Sequence, residues 1–344
     1  MQKIIFGLSA FVAFIIGFCA LQQPDQDCLE VRGAFDIGSG TTRLQIAEID
    51  VCQRKLVSVI YKDSVKVRYR KDLAKTKSKN FSDRIVLEGL NAVKDLINNA
   101  GAPEDVVSYS GVATEAFRQA ENGEAVLKQL AEKIGELTSK AVRLEIITQR
   151  REAEVGVIGA ASLLGSFLSR TAVWDIGGGS MQLSVPDEGG EFMIYESKFG
   201  AQQMKESIIR QVKRTNESTP NPISQDQYLT SKGLAIMAAS DVPEDIRLRL
   251  LDSSLQVVGI GGVHYYSIRG QTRVEDKFSV RDVRQAIIKR LDLTDEELGG
   301  DYAETDLSNL IMVDGFMEHL NIKEVYPLDV NMTDGVLVES AFWE

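Results

Sequence analysis

The sequence is poor in the residues from which nitrogen and sulfur metal sites are built. Its 344 residues include two histidines and three cysteines. His264 and His319 stand alone, and no Cys-x-x-Cys or Cys/His cluster occurs, so the sequence offers no structural zinc site. We expect a structural role for both histidines. Cys28 and Cys52 lie beyond an apolar N-terminal run, and the sequence leaves open whether they pair or remain separate thiols.

Positively charged residues are fewer than negatively charged ones. The chain has 39 Lys and Arg against 50 Asp and Glu, a formal net charge of −11. Such a protein has no general electrostatic reason to bind nucleic acid. Basic residues gather only in residues 62–84, where nine of them are interrupted by three acids. This run either guides a polyanion such as polyphosphate toward a cleft or forms an ordinary solvated loop.

Charge is nearly absent from the N-terminus, where Lys3 is the only charged side chain before Asp25. The residues between them, 4–21, are almost wholly apolar. A basic residue followed by an apolar run is typical of an export signal, and this run is also long enough to span a bilayer. We therefore predict that residues 1–22 are a signal peptide or an uncleaved anchor. The protein is expected in the periplasm or outside the cell, with membrane contact only through this segment.

Apolar runs alternate with helical patterns along the rest of the chain. Strands are predicted at residues 31–37, 43–49, 56–61, 106–112, 142–147, 172–176 and 255–260, with a short one near Val325. Helices are predicted at residues 82–99, 124–137 and 152–164, and most of the chain after Phe199 is expected to be helical. This order predicts an α/β fold with mixed sheets flanked by helices.

A glycine-rich turn occurs once in each half of the chain. The runs are DIGSGTTRL at 36–44 and DIGGGSMQL at 175–183, each between two strand-like segments. Their duplication predicts two related domains whose turns face each other across a cleft. Glycine turns bring backbone N–H groups close to a phosphate, and an aspartate at a strand end can hold Mg²⁺ or its waters. Two tight hairpins without a ligand are the structural alternative.

The candidate ligands follow from these two turns. The predicted phosphate-binding residues are Gly38, Ser39, Gly40, Thr41, Arg43, Gly177, Gly178, Gly179, Ser180 and Gln182. The predicted metal ligands are Asp36 and Asp175.

Three further runs carry weaker signals. Residues 257–266, VVGIGGVHYY, follow a strand, and Gly259, Gly261 and Gly262 would let the backbone pass close to a nucleotide-like ligand or simply form a turn. Residues 111–123 place Thr114 and Arg118 one helical turn apart, which suits phosphate contact as well as an exposed capped helix. Residues 149–154, QRREAE, begin a helix with acids that ordinarily only complement its dipole.

Together, in this order, the five runs resemble the exopolyphosphatase/guanosine pentaphosphatase (Ppx/GppA) family of the actin-like ATPase superfamily, from about Val31 to the C-terminus. The family's DIGSNSxRL pattern matches Asp36, Gly38, Ser39, Arg43 and Leu44. Its ATxAxRxAxN pattern matches Ala113, Thr114, Arg118, Ala120 and Asn122. The run VYPLDVNMTDGVLVE at 325–339 resembles the family's ending, with Met332 and Thr333 in place of its usual Leu-Arg pair.

Two other motifs match with departures. The family's GxEEA falls on residues 149–153, where Arg151 replaces the first glutamate and Glu152 keeps the second, the family's proposed catalytic base. Its DIGGGSTE falls on residues 175–182 and ends in Gln182 instead of glutamate. A glutamine here resembles the related secreted nucleoside-triphosphate diphosphohydrolases (apyrases), whose motif reads DLGGxSTQ.

The resemblance implies two actin-like (ribonuclease H-like) domains with a cleft between them. Domain I would comprise residues 31–146 and 330–344 and domain II residues 147–329, with a closing helix after Val330 that returns to domain I. The implied catalytic residues are Glu152 as base, Asp36 and Asp175 as holders of Mg²⁺ or another divalent cation, and Arg118 as the partner of the transferred phosphoryl group.

The implied function is that of an exported phosphohydrolase that cleaves terminal phosphoanhydride bonds of polyphosphate or pppGpp by in-line attack of water. The alternatives are a secreted apyrase-like hydrolase of nucleoside tri- and diphosphates and a non-catalytic polyphosphate-binding protein. A kinase of the same superfamily fits less well, because no acceptor-binding insertion is seen. The choice of substrate and a homodimeric state are left open.

Overall fold

The computed structural model of the protein describes residues 26–101 and 103–344. The predicted signal peptide or anchor therefore lies outside the described residues. Among the helices of the described part, none combines the length and apolarity that crossing a membrane requires.

The N-terminal half forms a five-stranded mixed sheet with the strand order β3-β2-β1-β4-β5. Its strands are β1 (Leu29–Ile37), β2 (Thr41–Asp50), β3 (Lys55–Lys66), β4 (Val106–Ala113) and β5 (Val142–Ile146). The first three strands pair antiparallel, whereas β4 and β5 join in parallel. The helices of this half are α1 (Tyr69–Leu73), α2 (Asp83–Ala100), α3 (Glu115–Gln119) and α4 (Gly123–Thr138).

Helix α2 shows why these elements form where the sequence predicts them. The Ser82 side chain caps its N-terminus by accepting the N–H of Ile85, and Gly101 ends it with a left-handed φ of 70°. Its apolar face, including Val93 and Leu96, packs into the same core as Phe35 of β1. The predicted helix at residues 82–99 is thereby confirmed.

A second sheet of six strands follows with the order β10-β11-β9-β6-β7-β8. Its strands are β6 (Thr171–Ile176), β7 (Met181–Pro186), β8 (Phe192–Ser197), β9 (Gln256–Ile260), β10 (Phe278–Ser279) and β11 (Glu324–Pro327). Strands β6, β7 and β8 form an antiparallel meander, and β9 pairs in parallel with β6. The order β8-β7-β6-β9 therefore repeats the order β3-β2-β1-β4 of the first sheet. The predicted duplication is present in the strand order itself. Strand β8 and the two-residue β10 were not predicted.

The second half contains most of the remaining helices. They are α5 (Gln149–Leu164), α6 (Ala201–Ser207), α7 (Gln225–Ala239), α8 (Glu244–Arg249), α9 (Arg269–Thr272), α10 (Val280–Ile288), α11 (Asp295–Leu298), α12 (Ala303–His319) and α13 (Met332–Val338). Short π-helical turns occur at Ile208–Lys213 and Val263–Ile268. Helix α12 is the centre of this half, since its residues from Leu307 to Met317 are all buried.

The chain closes by returning to the first sheet, as predicted. Val336 and Leu337 of α13 are buried with Ala34 and Ala47 of the first sheet, and Val155 of α5 belongs to the same cluster. Helices α5 and α13 thus cross where the two halves meet. Each sheet lies within one of the two predicted domains, and the exact boundaries at residues 146/147 and 329/330 remain a prediction.

A disulfide bond joins Cys28, just before β1, to Cys52 in the turn after β2, with the Cα atoms 5.5 Å apart. The pairing that the sequence left open is therefore made in the structure. The bond links the two ends of the antiparallel pair β1–β2, the hairpin that carries the first glycine turn.

Candidate active site

The two glycine turns are hairpins of the same construction. The N–H of Gly38 donates to the carbonyl of Thr41, and the N–H of Gly177 donates to that of Ser180, both at 2.9 Å. In strand register Asp36 faces Arg43 across the first hairpin, and Asp175 faces Gln182 across the second. Each turn is therefore a tight hairpin in its local geometry. A joint role of the two turns depends on where they lie relative to each other.

The turns face each other across a shared cleft. The carboxylate of Glu115, from the first half, lies directly over Gly179 of the second turn. A Cβ built on Gly262 would lie 3.6 Å from Nη2 of Arg43, which belongs to the first hairpin. Three of the predicted glycine runs, at 36–44, 175–183 and 257–266, therefore meet at one place.

Three buried carboxyl groups lie together in this cleft. Burial raises the pKa of Asp36 above its usual value, against the opposing effect of Arg43. Burial also raises the pKa of Glu152 to about 7, although Arg118 lowers it and Asp36 and Glu115 add to the rise. The pKa of Asp175 is raised to about 8 by burial and then by the charges of Glu152 and Asp36. Groups with pKa values moved toward neutrality are typical of catalytic sites.

The duplicated hairpins differ in how they treat their aspartates. Arg43 donates to Oδ2 of Asp36 at 2.8 Å, so the first carboxylate has a cationic partner. The equivalent residue opposite Asp175 is Gln182, whose buried amide donates only weakly to Ser180 at 3.4 Å. The side-chain carboxyl group of Asp175 makes no hydrogen bond or ion pair with another described residue. The second turn thus holds a buried carboxyl group with no ion-pair partner of its own among the described residues, and the charge of Arg43 opposes the rise of its pKa only in part.

Both predicted phosphate-binding arginines hold carboxylates. Arg118 donates to Oε2 of Glu152 at 2.9 Å and to the carbonyl of Ile147 at 2.8 Å. This contact fixes Glu152 while its other oxygen makes no hydrogen bond within the described part of the chain. Thr114 lies at the start of α3, where its N–H donates to the carbonyl of Ile37 beside the first turn.

The remaining predicted glycines divide into two groups. Within the described part of the chain, and apart from their own chain neighbours, no atom lies within 4 Å of a Cβ built on Gly40 or Gly178, so these parts of the turns are open. Gly261 has φ of +79° and lies against Asp175. Gly259 packs against the ring of His264, and its place in a ligand loop stays a prediction. That histidine is buried and burial lowers its pKa to about 3, consistent with the expected structural role.

Sequence reasoning missed two residues at the centre of the cleft. Glu115 accepts a hydrogen bond from Ser39 at 2.7 Å and pairs with the guanidinium of Arg70. Both Glu115 and Arg70 lie against Gly179. Glu115 occupies an unspecified position in the ATxAxRxAxN motif, and Arg70 is one of nine basic residues in the run 62–84. The sequence therefore does not indicate that these two side chains form an ion pair.

The donors at the cleft fit a divalent cation such as Mg²⁺. Asp36 and Asp175 offer carboxylate oxygens, which are the ligands that Mg²⁺ prefers, and Mg²⁺ commonly uses one or two carboxylates together with waters. A cation would also supply the positive charge that Asp175 lacks. These two side chains would hold the ion.

Two sheets of the same strand order, with facing glycine turns and buried carboxyl groups between them, define a two-domain protein of the actin-like ATPase fold. Within that class, residues 46–341 match the profile of the Ppx/GppA phosphatase family, and the chain belongs to this family. Membership makes it a hydrolase of phosphoanhydride bonds.

Solved structures agree on the fold. The Ppx/GppA enzyme of Aquifex aeolicus is 19% identical, with 90% of this chain and 99% of that chain covered and a TM-score of 0.68. An exopolyphosphatase-like protein is 18% identical, with 90% and 97% covered and a TM-score of 0.72. An exopolyphosphatase from Cytophaga hutchinsonii is 14% identical, with 90% and 96% covered and a TM-score of 0.66.

Proposed function

We propose that the protein is an exported exopolyphosphatase that removes the terminal phosphate of inorganic polyphosphate, with Glu152 as the base. The observation that carries the proposal is the position of Glu152. It lies buried beside Asp36 and Asp175, between two facing phosphate-binding turns, and its pKa is near 7. A base with a pKa close to the working pH is the most effective for removing a proton from water.

In the proposed reaction, the water oxygen attacks the terminal phosphorus and the bond to the bridging oxygen breaks on the opposite side. Glu152 accepts the proton of the water through the oxygen that Arg118 leaves free. The N–H groups of the glycine turns hold the phosphate oxygens, and a divalent cation at Asp36 and Asp175, when bound, offsets their charge. The products are inorganic phosphate and a chain shorter by one unit.

A polyanionic substrate is supported by a basic groove beside the cleft. The groove has a volume of about 490 Å³ and is lined by Lys66, Arg68, Lys71, Lys75 and Arg84, with Asp72 and Glu88. It is formed by the basic run that the sequence singled out. Lys71 and Lys75 make no ion pair within the described residues. A row of cations next to a phosphate clamp suits a chain of phosphates better than a single one.

A cation from the second half of the chain lies near the residues of the groove. Helix α6 begins at the second turn, where the N–H of Ala201 donates to the carbonyl of Gly177. Lys205 of α6 is buried. Burial lowers the pKa of its ammonium group, and the nearby charges of Lys71 and Arg68 lower it further. Cations from both halves of the chain therefore converge at the mouth of the cleft.

Phosphate release from long-chain polyphosphate, pppGpp and ATP, compared side by side with Mg²⁺, tests the proposed substrate. We expect the highest kcat/KM for long-chain polyphosphate, because only this substrate can occupy the groove and the clamp together. A higher kcat/KM for ATP would contradict the proposal and support the apyrase-like alternative.

The apyrase-like alternative rests on Gln182, and Gln182→Glu discriminates between the two functions. The variant places a second carboxylate opposite Asp175, which should increase the Mg²⁺ dependence. If the protein is an exopolyphosphatase, polyphosphate hydrolysis should rise about tenfold or become more metal-dependent, whereas in an apyrase-like enzyme nucleotide hydrolysis should fall by a similar factor. Gln129→Glu on the exposed face of α4 is the control and should change neither rate.

Export is the second part of the proposal. It is supported by the single lysine and apolar run at residues 3–21 and by the Cys28–Cys52 disulfide, a bond that persists mainly in oxidising compartments. Cell fractionation with an antibody against the C-terminus should place the protein in the periplasm, the medium or the membrane fraction. A soluble cytoplasmic product that retains Met1 would contradict this part.

A further inference from the structure

The buried carboxylate of Glu115 sits among groups that are typical ligands of phosphate. It accepts hydrogen bonds from the hydroxyl of Ser39 at 2.7 Å and from the amide of Gln119, and it forms an ion pair with Arg70. Hydroxyl, amide and guanidinium donors converging on one pair of oxygens also describe a phosphate site. The side chain of Glu115 is only 6% exposed.

The position of this carboxylate is between the two glycine turns. Ser39 belongs to the first turn, and a Cβ built on Gly179 of the second turn would overlap Glu115 and lie 2.6 Å from Nη1 of Arg70. The space that a side chain at Gly179 would occupy is therefore filled by the side chains of Glu115 and Arg70. A substrate phosphate that approaches the backbone there meets a negative charge.

We propose that Ser39, Arg70 and Gln119 form a phosphate subsite of the clamp, and that the Glu115 carboxylate occupies it as an internal substitute for a substrate phosphate. The inference rests on the proposed phosphate clamp. A bound polyphosphate displaces Glu115 from these donors, and Arg70 then pairs with a phosphate of the chain. Glu115 thus weakens the binding of short or singly charged anions and favours substrates that also contact the basic groove.

The structure makes the exchange feasible because Arg70 belongs to both regions. It lies in α1 between Arg68 and Lys71, which line the groove, and its N–H donates to the carbonyl of Ser39 in the first turn. A chain that enters along the groove reaches Arg70 before it reaches Gly179. The guanidinium of Arg70 can therefore exchange its ion-pair partner, from the Glu115 carboxylate to a phosphate, without a movement of the Arg70 backbone.

The test measures binding of tripolyphosphate by calorimetry with EDTA present, so that turnover does not enter. Glu115→Gln keeps the shape and removes the charge, and we expect it to bind tripolyphosphate at least about tenfold more tightly than the wild type, which corresponds to about 1.4 kcal/mol. In the Glu115→Gln background, Arg70→Met should abolish this gain. Glu124→Gln, an acid in the first turn of α4 that lies on the surface, is the matched control and should not change the affinity.

Several outcomes would overturn the inference. Equal or weaker binding by Glu115→Gln, a gain that survives Arg70→Met, an equal gain in Glu124→Gln, or no binding by any variant would each do so. Thermal unfolding of each variant verifies that it is folded. A wild type that binds tripolyphosphate but does not hydrolyse polyphosphate would reject the proposed function while leaving this comparison intact.

Discussion

Replacing Glu152 with glutamine is expected to lower kcat on polyphosphate by about 10²–10⁴-fold, which is the usual contribution of a general base. Glutamine keeps the size of the side chain and can still accept a hydrogen bond from Arg118, but a neutral amide does not take up the proton of the attacking water. Polyphosphate binding should change little, because the glycine turns and the basic groove are untouched.

The pH dependence gives this variant a second readout. Glu152 acts as a base only when ionised, and its pKa of about 7 means that wild-type kcat/KM should fall as the pH decreases below about 7. A cation bound nearby favours the ionised form, so increasing Mg²⁺ should move this fall to lower pH. At saturating Mg²⁺, which keeps Asp175 ionised, the Glu152→Gln variant should lose the part of this acidic fall that is centred near pH 7.

Glu154→Gln is the matched control for the chemistry of Glu152. Glu154 lies two residues further along the same helix, and among the described residues it forms ion pairs only with Arg150 and Arg151. Its replacement should leave both kcat and the pH profile unchanged. If Glu152→Gln retained wild-type turnover, the proposed mechanism would fail and the non-catalytic polyphosphate-binding alternative would gain support.

The sequence was sufficient to predict the duplicated fold because duplication leaves a local signature. Each Asp-Ile-Gly turn must follow a buried strand and lead into another, and the two hairpins share even their backbone hydrogen bond. The cap residues Ser82 and Gly101 act within a few residues of the helix they limit. Such features depend on neighbours in the chain, and so they can be seen without a structure.

The contacts at the centre of the cleft were not predictable in the same way. Arg70 and Glu115 are 45 residues apart, and Ser39 and Glu115 are 76 residues apart. Which charges pair across such distances depends on how one turn and two short helices are placed relative to one another. The packing of Gly259 against the ring of His264 likewise depends on the direction of the side chain in the folded protein, which the glycine pattern does not indicate.

The departure at Gln182 has a physical meaning that the motif alone did not give. Arg43 and Gln182 occupy equivalent positions in the two hairpins, and only Arg43 neutralises the aspartate it faces. The first turn therefore carries a carboxylate with a direct cationic partner, whereas the carboxylate of the second turn only feels the charge of Arg43 without pairing with it. This asymmetry assigns the greater need for a cation to Asp175.

Asp175→Asn is accordingly expected to stabilise the metal-free protein while weakening its binding of Mg²⁺. The pKa of Asp175 rises from its ordinary value of 3.8 to about 8 in the folded protein, because burial and the charges of Glu152 and Asp36 disfavour the ionised form. For a carboxyl group whose folded pKa is raised, stability is intact below pH 4 and is lost progressively as the pH rises to about 8. Asparagine removes this loss, which at pH 8 is on the order of 5 kcal/mol.

The measurement is chemical denaturation in EDTA at pH 5 and pH 8, together with calorimetry of Mg²⁺ binding. The stability gain of Asp175→Asn should be larger at pH 8, and its Mg²⁺ affinity should be at least about tenfold lower than that of the wild type. Asp36→Asn is the matched control from the equivalent position. Because it leaves the Arg43 guanidinium without its partner, it should give a smaller gain or none. Equal gains in the two variants, or a loss of stability in Asp175→Asn, would show that the second turn does not hold an uncompensated charge. The expected pair of effects would instead identify Asp175 as a group whose cost to folding is offset by the cation that the reaction needs.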